Sequence, residues 1–287
     1  MRRCAILTMD RLEDFVADDK MLDEPMAQCG WQIDHVSWHK EHVDWRQYEA
    51  VIIRSTWDYQ DDADAFVAVL EAIEKSATLL LNSLNMVKWN INKNYLREVQ
   101  IKGAEIVPTL WLEVFDFSLV EGYFEYFETE QIVIKPTISA NADNTYWLKK
   151  DSYLQKKQEL QKSLKDRQLM VQPFMQSIVD QGEYSLFYFA GEYSHSIIKS
   201  PKSGDFRVQE EHGGQLRSIS PSVELLTAAN KALQTIPEKV LYARVDMVEH
   251  QGVFKIMEIE LIEPSLYFNL DETAPLRFAK AFNKWIK

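Results

Sequence analysis

Hydrophobic positions in the first third of the chain alternate between short apolar runs and stretches with helical spacing. Four runs predict buried strands: 4–9, 31–38, 50–55 and 78–82. Between the last two runs, Ala63, Phe66, Leu70 and Ile73 recur every three or four positions and predict an amphipathic helix. Because strands that alternate with helices form parallel sheets, we expect residues 1–85 to fold as a small α/β domain.

The middle of the chain mixes helical and extended patterns. Three stretches have helical periodicity: 85–103, 115–127 and 151–168. Three others are expected to be extended: 105–112, 131–137 and 169–175. A polar loop that lacks glycine, SANADNT (139–145), follows the strand at 131–137.

From residue 183 onward the pattern changes to hairpins. Three stretches predict them: 184–200, 203–219, where a loop comes before the hairpin, and 242–261. A helix is expected at 223–236, between the second and third hairpins. In the last strand, alternation places Met257, Ile259 and Leu261 towards the core, and Glu258 and Glu260 on the opposite face.

Composition narrows the class of protein. The 287 residues are 46% hydrophobic and 26% charged, as in globular proteins with two or three subdomains. The net charge of −12 argues against binding to nucleic acid or anionic membranes, which attract basic surfaces. Cys4 and Cys29 have no metal-type spacing and do not indicate a disulfide framework. The N-terminal apolar run is too short for a signal peptide, and no run approaches the ~18 residues of a membrane span, so we expect a cytoplasmic protein.

Acidic residues on the last two strands are the strongest chemical signal. Arg244 and Asp246 share one strand face, Glu258 and Glu260 share another, and the turn at 250–252 pairs the two strands. Carboxylates that converge repel one another unless they are protonated or bridged by cations. Oxygen ligands of this kind suit Mg²⁺. The alternative, for any one of these residues, is an ordinary exposed sheet face.

Four basic residues are further candidates. Lys93 lies inside a predicted helix and Lys135 closes a predicted strand, while Lys199 lies on a strand face and Arg207 in the loop that follows it. Each alone is typical of a solvated surface charge. In a protein of net charge −12, an anionic ligand needs such residues gathered locally.

Three further polar residues have two interpretations each. Arg54 and Asp58 follow the strand at 50–55, where ligands gather in parallel sheets, but the segment is equally typical of a solvated turn. His195 shares a strand face with Lys199 and is either a substrate contact or a structural histidine.

The order of these motifs resembles the ATP-grasp superfamily. The motifs are Lys93 in a helix, VIKP, LMVQPF, GEYSL, GDFRVQ followed by GG, ARVD and MEIELIEPS. Within the superfamily the arrangement is similar to glutathione synthetase and ribosomal-protein glutamate ligase. RSTWDY, HSIIKSP, GDFRVQ and EIELIEPSL are similar to the branch that contains the cycloserine synthetase of D-cycloserine biosynthesis.

The resemblance implies an α/β (α+β) ATP-grasp fold in three parts. A parallel pre-ATP-grasp domain would span 1–85, a linker helix and lid subdomain 86–175, and a mainly antiparallel C-terminal subdomain 176–287. ATP would be clamped between the last two parts. Relatives are often homodimers, so a homodimer is also implied.

The resemblance also implies a role for each candidate residue. ATP-binding residues would be Lys93, Lys135, Ser139, Glu183 and the adenine hinge Gln172, Pro173, Phe174 and Met175. Arg207 and Arg244 would hold the transferring phosphate or the substrate carboxylate. Two Mg²⁺ ions would be held by Asp246, Glu258 and Glu260. For substrate binding we expect Arg54, Asp58, His195, Lys199 and Glu263, the last of which either orients Arg244 or binds a substrate amine.

Two departures from the family pattern stand out. The lid loop of relatives carries glycines, whereas SANADNT has none and offers the hydroxyls of Ser139 and Thr145 instead. Asn and Asp visit left-handed backbone conformations, so a polar loop can replace a glycine-rich one. At the last metal position many relatives have Asn where this chain has Glu260.

The implied activity is that of an ADP-forming ligase. Such enzymes phosphorylate a carboxylate with ATP to give an acylphosphate, which an amine or similar nucleophile then attacks. The sequence leaves open whether the nucleophile is a second molecule or part of the same one. Two alternatives belong to other classes: a catalytically weak ATP-binding regulatory module, and a carboxylate-pair glycosidase, which leaves the basic residues unexplained.

Overall fold

The N-terminal part of the chain forms a four-stranded sheet. The computed structural model describes residues 2–13, 15–139, 142–202 and 204–287. Strands β1 (Arg2–Thr8), β2 (Trp31–Ser37), β3 (Ala50–Ser55) and β4 (Leu79–Leu81) lie in the order β2-β1-β3-β4. All neighbours pair in parallel, which confirms the predicted α/β sheet. Helix α1 (Asp23–Gln28) precedes β2, and α2 (Ala63–Lys75) joins β3 to β4 and buries Phe66, Leu70 and Ile73.

The single helix predicted over 85–103 is wrong. The structure has two helices, α3 (Leu84–Asn90) and α4 (Tyr95–Ile101), and Lys93 lies in the turn between them. Asparagine side chains explain the break, because they compete with the helix for backbone hydrogen bonds. The Asn92 side chain accepts a bond from the backbone N–H of Asn94 (3.0 Å).

The second sheet is antiparallel. Strands β5 (Leu110–Leu112), β6 (Gln131–Pro136), β7 (Tyr146–Lys149) and β8 (Leu169–Pro173) lie in the order β5-β8-β6-β7. Helix α5 (Val120–Tyr126) precedes β6, and α6 (Lys157–Ser163) lies between β7 and β8. Both helices are shorter than the predicted stretches 115–127 and 151–168. The polar loop of residues 139–145 joins β6 to β7, and its residues 140 and 141 lie outside the described part of the chain.

The third sheet carries most of the candidate residues. After the short helix α7 (Ser177–Asp180) come its strands: β9 (Glu183–Phe189), β10 (Glu192–Ser200), β11 (Gln215–Ser218), β12 (Tyr242–His250) and β13 (Val253–Glu260). They are antiparallel, in the order β11-β10-β9-β12-β13. Helix α8 (Val223–Leu233) lies between β11 and β12. The loop predicted within 203–219 is present over residues 204–214, but the hairpin predicted there is wrong, because β11 pairs with β10 instead.

The final helix, α9 (Ala274–Trp285), connects the third sheet to the first. Its Phe278 and Phe282 are fully buried, and Phe282 packs edge-on against Trp31 of β2 with ring centroids 4.8 Å apart. One hydrophobic core therefore contains side chains of both sheets. No helix in the described ranges is both long and apolar enough to cross a lipid bilayer.

Each sheet falls within one of the ranges 1–85, 86–175 and 176–287. Buried polar contacts join these parts. The Asn82 side chain, next to β4, donates to the carbonyls of Tyr242 (3.0 Å) and Leu261 (2.7 Å). The division into three domains itself stays a prediction.

Candidate active site

A large cavity lies between the second and third sheets and opens to solvent. It contains about 1510 Å³ of space, open solvent included. One wall comes from β6 and the end of β8, and the other from β9, β10, β12 and β13. Of the candidate residues, all but Arg54, Asp58 and His195 line it: Lys93, Lys135, Ser139, Gln172, Pro173, Phe174, Met175, Glu183, Lys199, Arg207, Arg244, Asp246, Glu258, Glu260 and Glu263.

The floor of the cavity is one face of the β12–β13 hairpin. Arg244 lies opposite Glu260, and Asp246 lies opposite Glu258. Residues directly opposite on antiparallel strands share a face, so the predicted grouping of these four residues is confirmed. Arg244 donates to Asp246 (2.9 Å between Nη2 and Oδ2) and to a carboxylate oxygen of Glu260.

Charge on this floor is largely balanced by the protein itself. Burial alone would raise the pKa of Asp246, but Arg244 and Lys199 lower it below its ordinary value. Burial raises the pKa of Glu260 to about 7, although Arg244 opposes the shift. Asp246 is therefore held as a carboxylate, whereas Glu260 is close to half-protonated at neutral pH.

Lys199 on β10 is enclosed by two acids. Its ammonium lies 2.5 Å from Glu183 and 3.4 Å from Asp246, and the residue is 3% exposed. Burial alone would lower the pKa of Lys199, but the two carboxylates raise it above its ordinary value. Lys199 thus stays charged and holds the Asp246 side of the floor in place.

Two lysines approach the floor from the opposite side. Lys93 is buried in the turn between α3 and α4, and its ammonium lies 3.1 Å from Glu258 and donates to the Ser139 carbonyl (2.6 Å). Lys135 on β6 has no carboxylate within 4 Å among the described residues. Burial lowers the pKa of Lys135, which neighbouring Lys93 lowers further. Lys135 is therefore a cation available to an anionic ligand.

Arg207 reaches the cavity from the loop after β10. Asp205 accepts three hydrogen bonds from the Arg207 guanidinium, the shortest of them 2.8 Å from Nη2 to Oδ2. This pairing lowers the pKa of Asp205. The loop folds back closely on itself, because a Cβ at Gly214 would lie 2.1 Å from the Val208 carbonyl oxygen. In the GDFRVQ…GG motif, Gly214 is thus required by packing, whereas Gly213 suits its positive φ of 82°.

The end of β8 forms an aromatic wall. Phe174 stacks on Trp147 of β7 with ring centroids 4.5 Å apart, and Trp147 meets Phe206 edge-on at 5.7 Å. The Gln172 side chain is turned to Thr109 (2.9 Å). Trp147 and Phe206 were not among the sequence candidates. Trp147 follows the polar loop 139–145 and Phe206 precedes Arg207, but aromatic residues in such positions are typical of core packing and did not indicate a site.

Met257 lines the cavity, contrary to the prediction that it faces the core. A bulge causes the difference: Asp246 pairs with Glu258, the next pair is Met247 with Ile256, and Met257 is left without a partner. Ile259 and Leu261 are fully buried, as predicted.

The cavity continues past the hairpin towards the N-terminal domain. Here it is lined by Trp57, Tyr59, Glu263, Ser265 and Tyr267. Burial raises the pKa of Glu263 to about 8, and nearby Glu260 raises it as well. In the described residues, the Glu263 carboxylate has no cation within 4 Å, unlike Glu183, Asp246, Glu258 and Glu260.

Arg54, Asp58 and His195 are engaged elsewhere. Arg54 is 1% exposed and donates to Asp19 (2.9 Å) and to the Pro264 carbonyl (2.8 Å). Asp58 accepts from Trp38 (2.6 Å) and is paired with His39 (2.7 Å). The geometry does not support direct contact of these residues with a substrate in the cavity.

His195 is a buried structural histidine in this arrangement. Its ring stacks on Phe187 (4.2 Å between centroids), and its Nε2 lies 2.9 Å from the Leu266 carbonyl oxygen. Burial lowers the pKa of His195 to about 4, so the ring is neutral at neutral pH. A neutral ring that donates through Nε2 satisfies both nitrogens, because Ser194 lies 2.9 Å from Nδ1.

The residues on the floor differ in how well they suit a magnesium ion. Glu258 and Glu260 keep about a quarter of each side chain exposed to the cavity, and each has a single cationic partner. Asp246 is 3% exposed and its oxygens already receive Arg244, Lys199 and Ser185. Across the described ranges, no three acidic, histidine or cysteine side chains are grouped closely enough to hold a metal ion. Glu258 and Glu260 fit the donor set that Mg²⁺ takes, whereas Asp246 fits a supporting position.

Comparisons with known proteins agree with this arrangement. Residues 4–82 match the family model for the N-terminal domain of D-cycloserine synthetase DcsG. The cycloserine biosynthesis protein DcsG of Streptomyces lavendulae is 26% identical over 279 residues, which cover 90% of this chain and 88% of that protein.

Solved structures extend the similarity to the whole chain. The crystal structure of D-cycloserine synthetase DcsG aligns over 99% of this chain and 100% of its own, with 25% identity and a TM-score of 0.88. The ATP-grasp ligase PsnB aligns over 100% and 99%, with 16% identity and a TM-score of 0.68. The predicted ATP-grasp fold and the resemblance to the cycloserine synthetase branch are confirmed.

Proposed function

We propose that this chain, an ATP-grasp ligase related to the cycloserine synthetase branch, activates an amino-acid-like carboxylate as an acylphosphate and transfers it to an amine or similar nucleophile. The observation that carries the proposal is the placement of the cations around one carboxylate-lined cavity between two antiparallel sheets. Lys93, Lys135, Arg207 and Arg244 reach it from four different segments. In a protein of net charge −12, these cations reduce the repulsion between the two anions that must meet, ATP and the substrate carboxylate.

The chemistry has two steps. A carboxylate oxygen of the substrate attacks the γ-phosphorus of ATP, the bond to the β-phosphate oxygen breaks, and ADP leaves with the electron pair. The nucleophile then attacks the acyl carbon, phosphate leaves, and the nucleophile gives up a proton. Both steps depend mainly on positioning and charge neutralisation, which is why lysine and arginine serve here without a nucleophilic side chain.

The described residues divide between the two reactants. Lys135 has no carboxylate partner and would hold ATP phosphates, together with Lys93. Phe174 and Met175 would flank the adenine, with Ser139 after β6 on the same side of the cavity and Glu183 of β9 on the facing wall. Arg207 and Arg244 would bind the transferring phosphoryl group or the substrate carboxylate.

We include Mg²⁺ in the proposal because Glu258 and Glu260 fit the ligands that this ion prefers. The proposal also includes a second Mg²⁺ ion, with Asp246 as an additional ligand. When bound, Mg²⁺ supplies neutralisation of phosphate charge. Burial raises the pKa of Glu260, and the neighbouring carboxylates of Asp246 and Glu258 raise it further, which a bound cation would oppose.

The N-terminal end of the cavity would hold the substrate. Glu263 lacks a cationic partner among the described residues and lies beside the aromatic rings of Trp57 and Tyr59. Such a carboxylate suits the ammonium group of an amino-acid-like molecule, with cation–π contact from the rings. The name of the relatives, D-cycloserine synthetase, favours an intramolecular nucleophile and ring closure.

A homodimer is also part of the proposal, and analytical ultracentrifugation would test it.

The lid loop bears on the alternative of a catalytically weak ATP-binding module. This loop lacks glycine, but Ala142 and Asn144 adopt positive φ angles of 57° and 49°. The left-handed conformation that glycines provide elsewhere is therefore reached by this polar loop, as the sequence predicted for Asn. This observation favours the ligase over the module.

The experiment is an assay of ADP release with Mg²⁺ and ATP across a panel of amino-acid and peptide carboxylates, with and without added amines. ADP release that depends on one of the carboxylates supports the ligase. Tight binding of ATP without turnover on any member of the panel would favour the regulatory module instead. D-cycloserine formation, followed by mass spectrometry, tests the intramolecular form of the reaction.

A further inference from the structure

The segment after β13 crosses the cavity wall without secondary structure. Residues 261–266 belong to no helix or strand, yet Ile262, Glu263 and Ser265 line the cavity. Backbone carbonyls in such a segment need partners other than a sheet or a helix. The source of those partners determines how rigid the wall is.

Six consecutive carbonyls of this segment each lie within hydrogen-bonding distance of a side-chain donor, and the single hydroxyl proton of Tyr242 is shared with the carbonyls of Ile53 (2.7 Å) and Leu81 (3.2 Å). The donors for carbonyls 261 to 266, in order, are Asn82 (2.7 Å), Tyr242 (2.9 Å), Trp57 (2.9 Å), Arg54 (2.8 Å), Arg244 (3.2 Å) and His195 (2.9 Å). We refer to these six donors as the carbonyl clamp. Three of them come from the N-terminal part of the chain and three from strands of the third sheet.

The donors of the clamp are buried and oriented by their own surroundings. Arg54 is fixed by Asp19 (2.9 Å), and the ring of His195 is fixed by its stack on Phe187. Asn82 is 1% exposed and Trp57 is 7% exposed. Hydrogen bonds between such groups hold a loop far more firmly than contacts on a solvated surface do.

We propose that the carbonyl clamp positions residues 261–266 as the rigid substrate-facing wall, with Arg54 and His195 as positioning residues that act through the backbone. The proposal deepens the proposed function and rests on it for the identity of the substrate side. It accounts for Arg54 and His195, which lie outside the cavity and belong to the motifs RSTWDY and HSIIKSP. It also explains how the N-terminal domain contributes to the site without placing a charged side chain in it.

The first test measures hydrogen–deuterium exchange of the peptide 261–268 in the free protein. Trp57→Phe and His195→Phe each remove one donor and keep an aromatic ring. We expect amides of this peptide to exchange about five-fold faster in each variant, since a buried hydrogen bond contributes about 1 kcal/mol. Thr78→Val is the matched control, because Thr78 donates to the Trp45 carbonyl (2.9 Å) away from the cavity. Unchanged exchange in both variants, or equal acceleration in all peptides, would overturn the clamp.

The second test uses rescue and a split between kinetic constants. His195→Gln keeps a donor close to the position of Nε2, so it should restore the exchange rate that His195→Phe loses. With the carboxylate that the wild-type enzyme turns over, His195→Phe, whose ring lies outside the cavity, should raise KM for that carboxylate about five-fold and leave KM for ATP within two-fold. Equal changes in both constants would contradict a positioning role. Absence of wild-type turnover would refute the proposed function, whereas the exchange measurement needs no substrate and still decides the clamp.

Discussion

Individual charges along the cavity floor are matched in pairs, with two exceptions. Lys93 meets Glu258, Arg244 meets Glu260, and Lys199 lies between Glu183 and Asp246. A buried charge without a partner is costly, so the loss of one member of a pair would leave the other charge uncompensated. Lys135 and Glu263 lie on the cavity without a charge partner in the described residues. These two are the groups that ligands of opposite sign would complete.

Glu258 carries the first prediction. Glu258→Gln removes one of the two carboxylates that fit Mg²⁺, so turnover should fall roughly 10²- to 10³-fold. The Mg²⁺ concentration that gives half-maximal ADP release should rise in the same variant. Glu249→Gln, at the far end of the same hairpin, serves as the control and should leave both quantities unchanged. Wild-type turnover and magnesium dependence in Glu258→Gln would show that the metal assignment is wrong.

His195 gives a prediction for the pH dependence of stability. Its pKa is lowered to about 4 in the folded protein from an ordinary value of 6.5. Between these values the unfolded chain binds a proton that the folded chain does not, so stability is lost as pH falls through this window. From pH 7 to pH 5 the wild type should lose about 2 kcal/mol more unfolding free energy than His195→Gln. Urea unfolding at both pH values measures this difference, and parallel losses in the two proteins would refute it.

Strand β13 carries Glu258 and Glu260 at the edge of its sheet, and side chains complete its outer edge. The Tyr95 hydroxyl donates to the Ile259 carbonyl (2.9 Å) and accepts from the Ile259 N–H (2.7 Å). Asn90 bonds the carbonyl of Ile259 (2.8 Å) and the N–H of Leu261 (2.9 Å). Helices α3 and α4 thereby hold the strand that bears the carboxylates, where an open edge would be free to shift.

This edge predicts a stability change at one hydroxyl group. Tyr95→Phe leaves the buried N–H of Ile259 without a partner, while its carbonyl keeps the bond from Asn90, and this should lower the free energy of unfolding by about 1–3 kcal/mol. Tyr126→Phe is the matched control, because Tyr126 is 65% exposed. Chemical denaturation of the two variants gives the comparison. A loss in Tyr95→Phe no larger than in Tyr126→Phe would mean that the hydroxyl does not support the strand.

At the scale of helices and strands, some features could be predicted from the sequence and others could not. Apolar periodicity predicted the parallel sheet and the shared face of Arg244, Asp246, Glu258 and Glu260, because these depend on local alternation. It did not predict the break at Lys93 or the bulge at Met257. The break rests on a side-chain bond of Asn92, which apolar periodicity does not register, and the bulge arises in pairing with β12.

The carbonyl clamp lay beyond sequence reasoning for the same reason. Arg54 and His195 looked like ligand-binding residues because they are polar and stand at strand ends or on strand faces. Their actual partners are carbonyl oxygens, which every residue carries and which leave no trace in the sequence. The motifs RSTWDY and EIELIEPSL were recognised separately, and the structure joins them through the bonds from Trp57 to Glu263 and from Arg54 to Pro264.

At the scale of the whole molecule, two walls from different sheets enclose the cavity. The second sheet contributes Lys135 and the aromatic wall, and the third contributes the carboxylates. A ligand that contacts both sheets should stabilise them together, since binding to the folded state alone adds to its stability.

This arrangement predicts thermal stabilisation by a non-hydrolysable ATP analogue. Mg²⁺ with AMP-PNP, at about 100-fold above its dissociation constant, should add about 2.7 kcal/mol and raise the Tm by roughly 5–10 °C. Lys135→Met should abolish most of the rise, and Lys162→Met, an exposed lysine of α6, should keep it. Differential scanning calorimetry gives these values. A wild-type Tm that does not respond to the analogue would count against nucleotide binding in the cavity.

Acylphosphate formation is the central claim, and oxygen transfer tests it most directly. The carboxylate that supports ADP release is labelled with ¹⁸O on both oxygens, and the released phosphate is examined by mass spectrometry. If the carboxylate oxygen attacks the γ-phosphorus, each phosphate carries one ¹⁸O atom, because the acyl–oxygen bond breaks when the nucleophile attacks. Unlabelled phosphate, released at the same rate as ADP, would contradict the account and indicate simple hydrolysis of ATP.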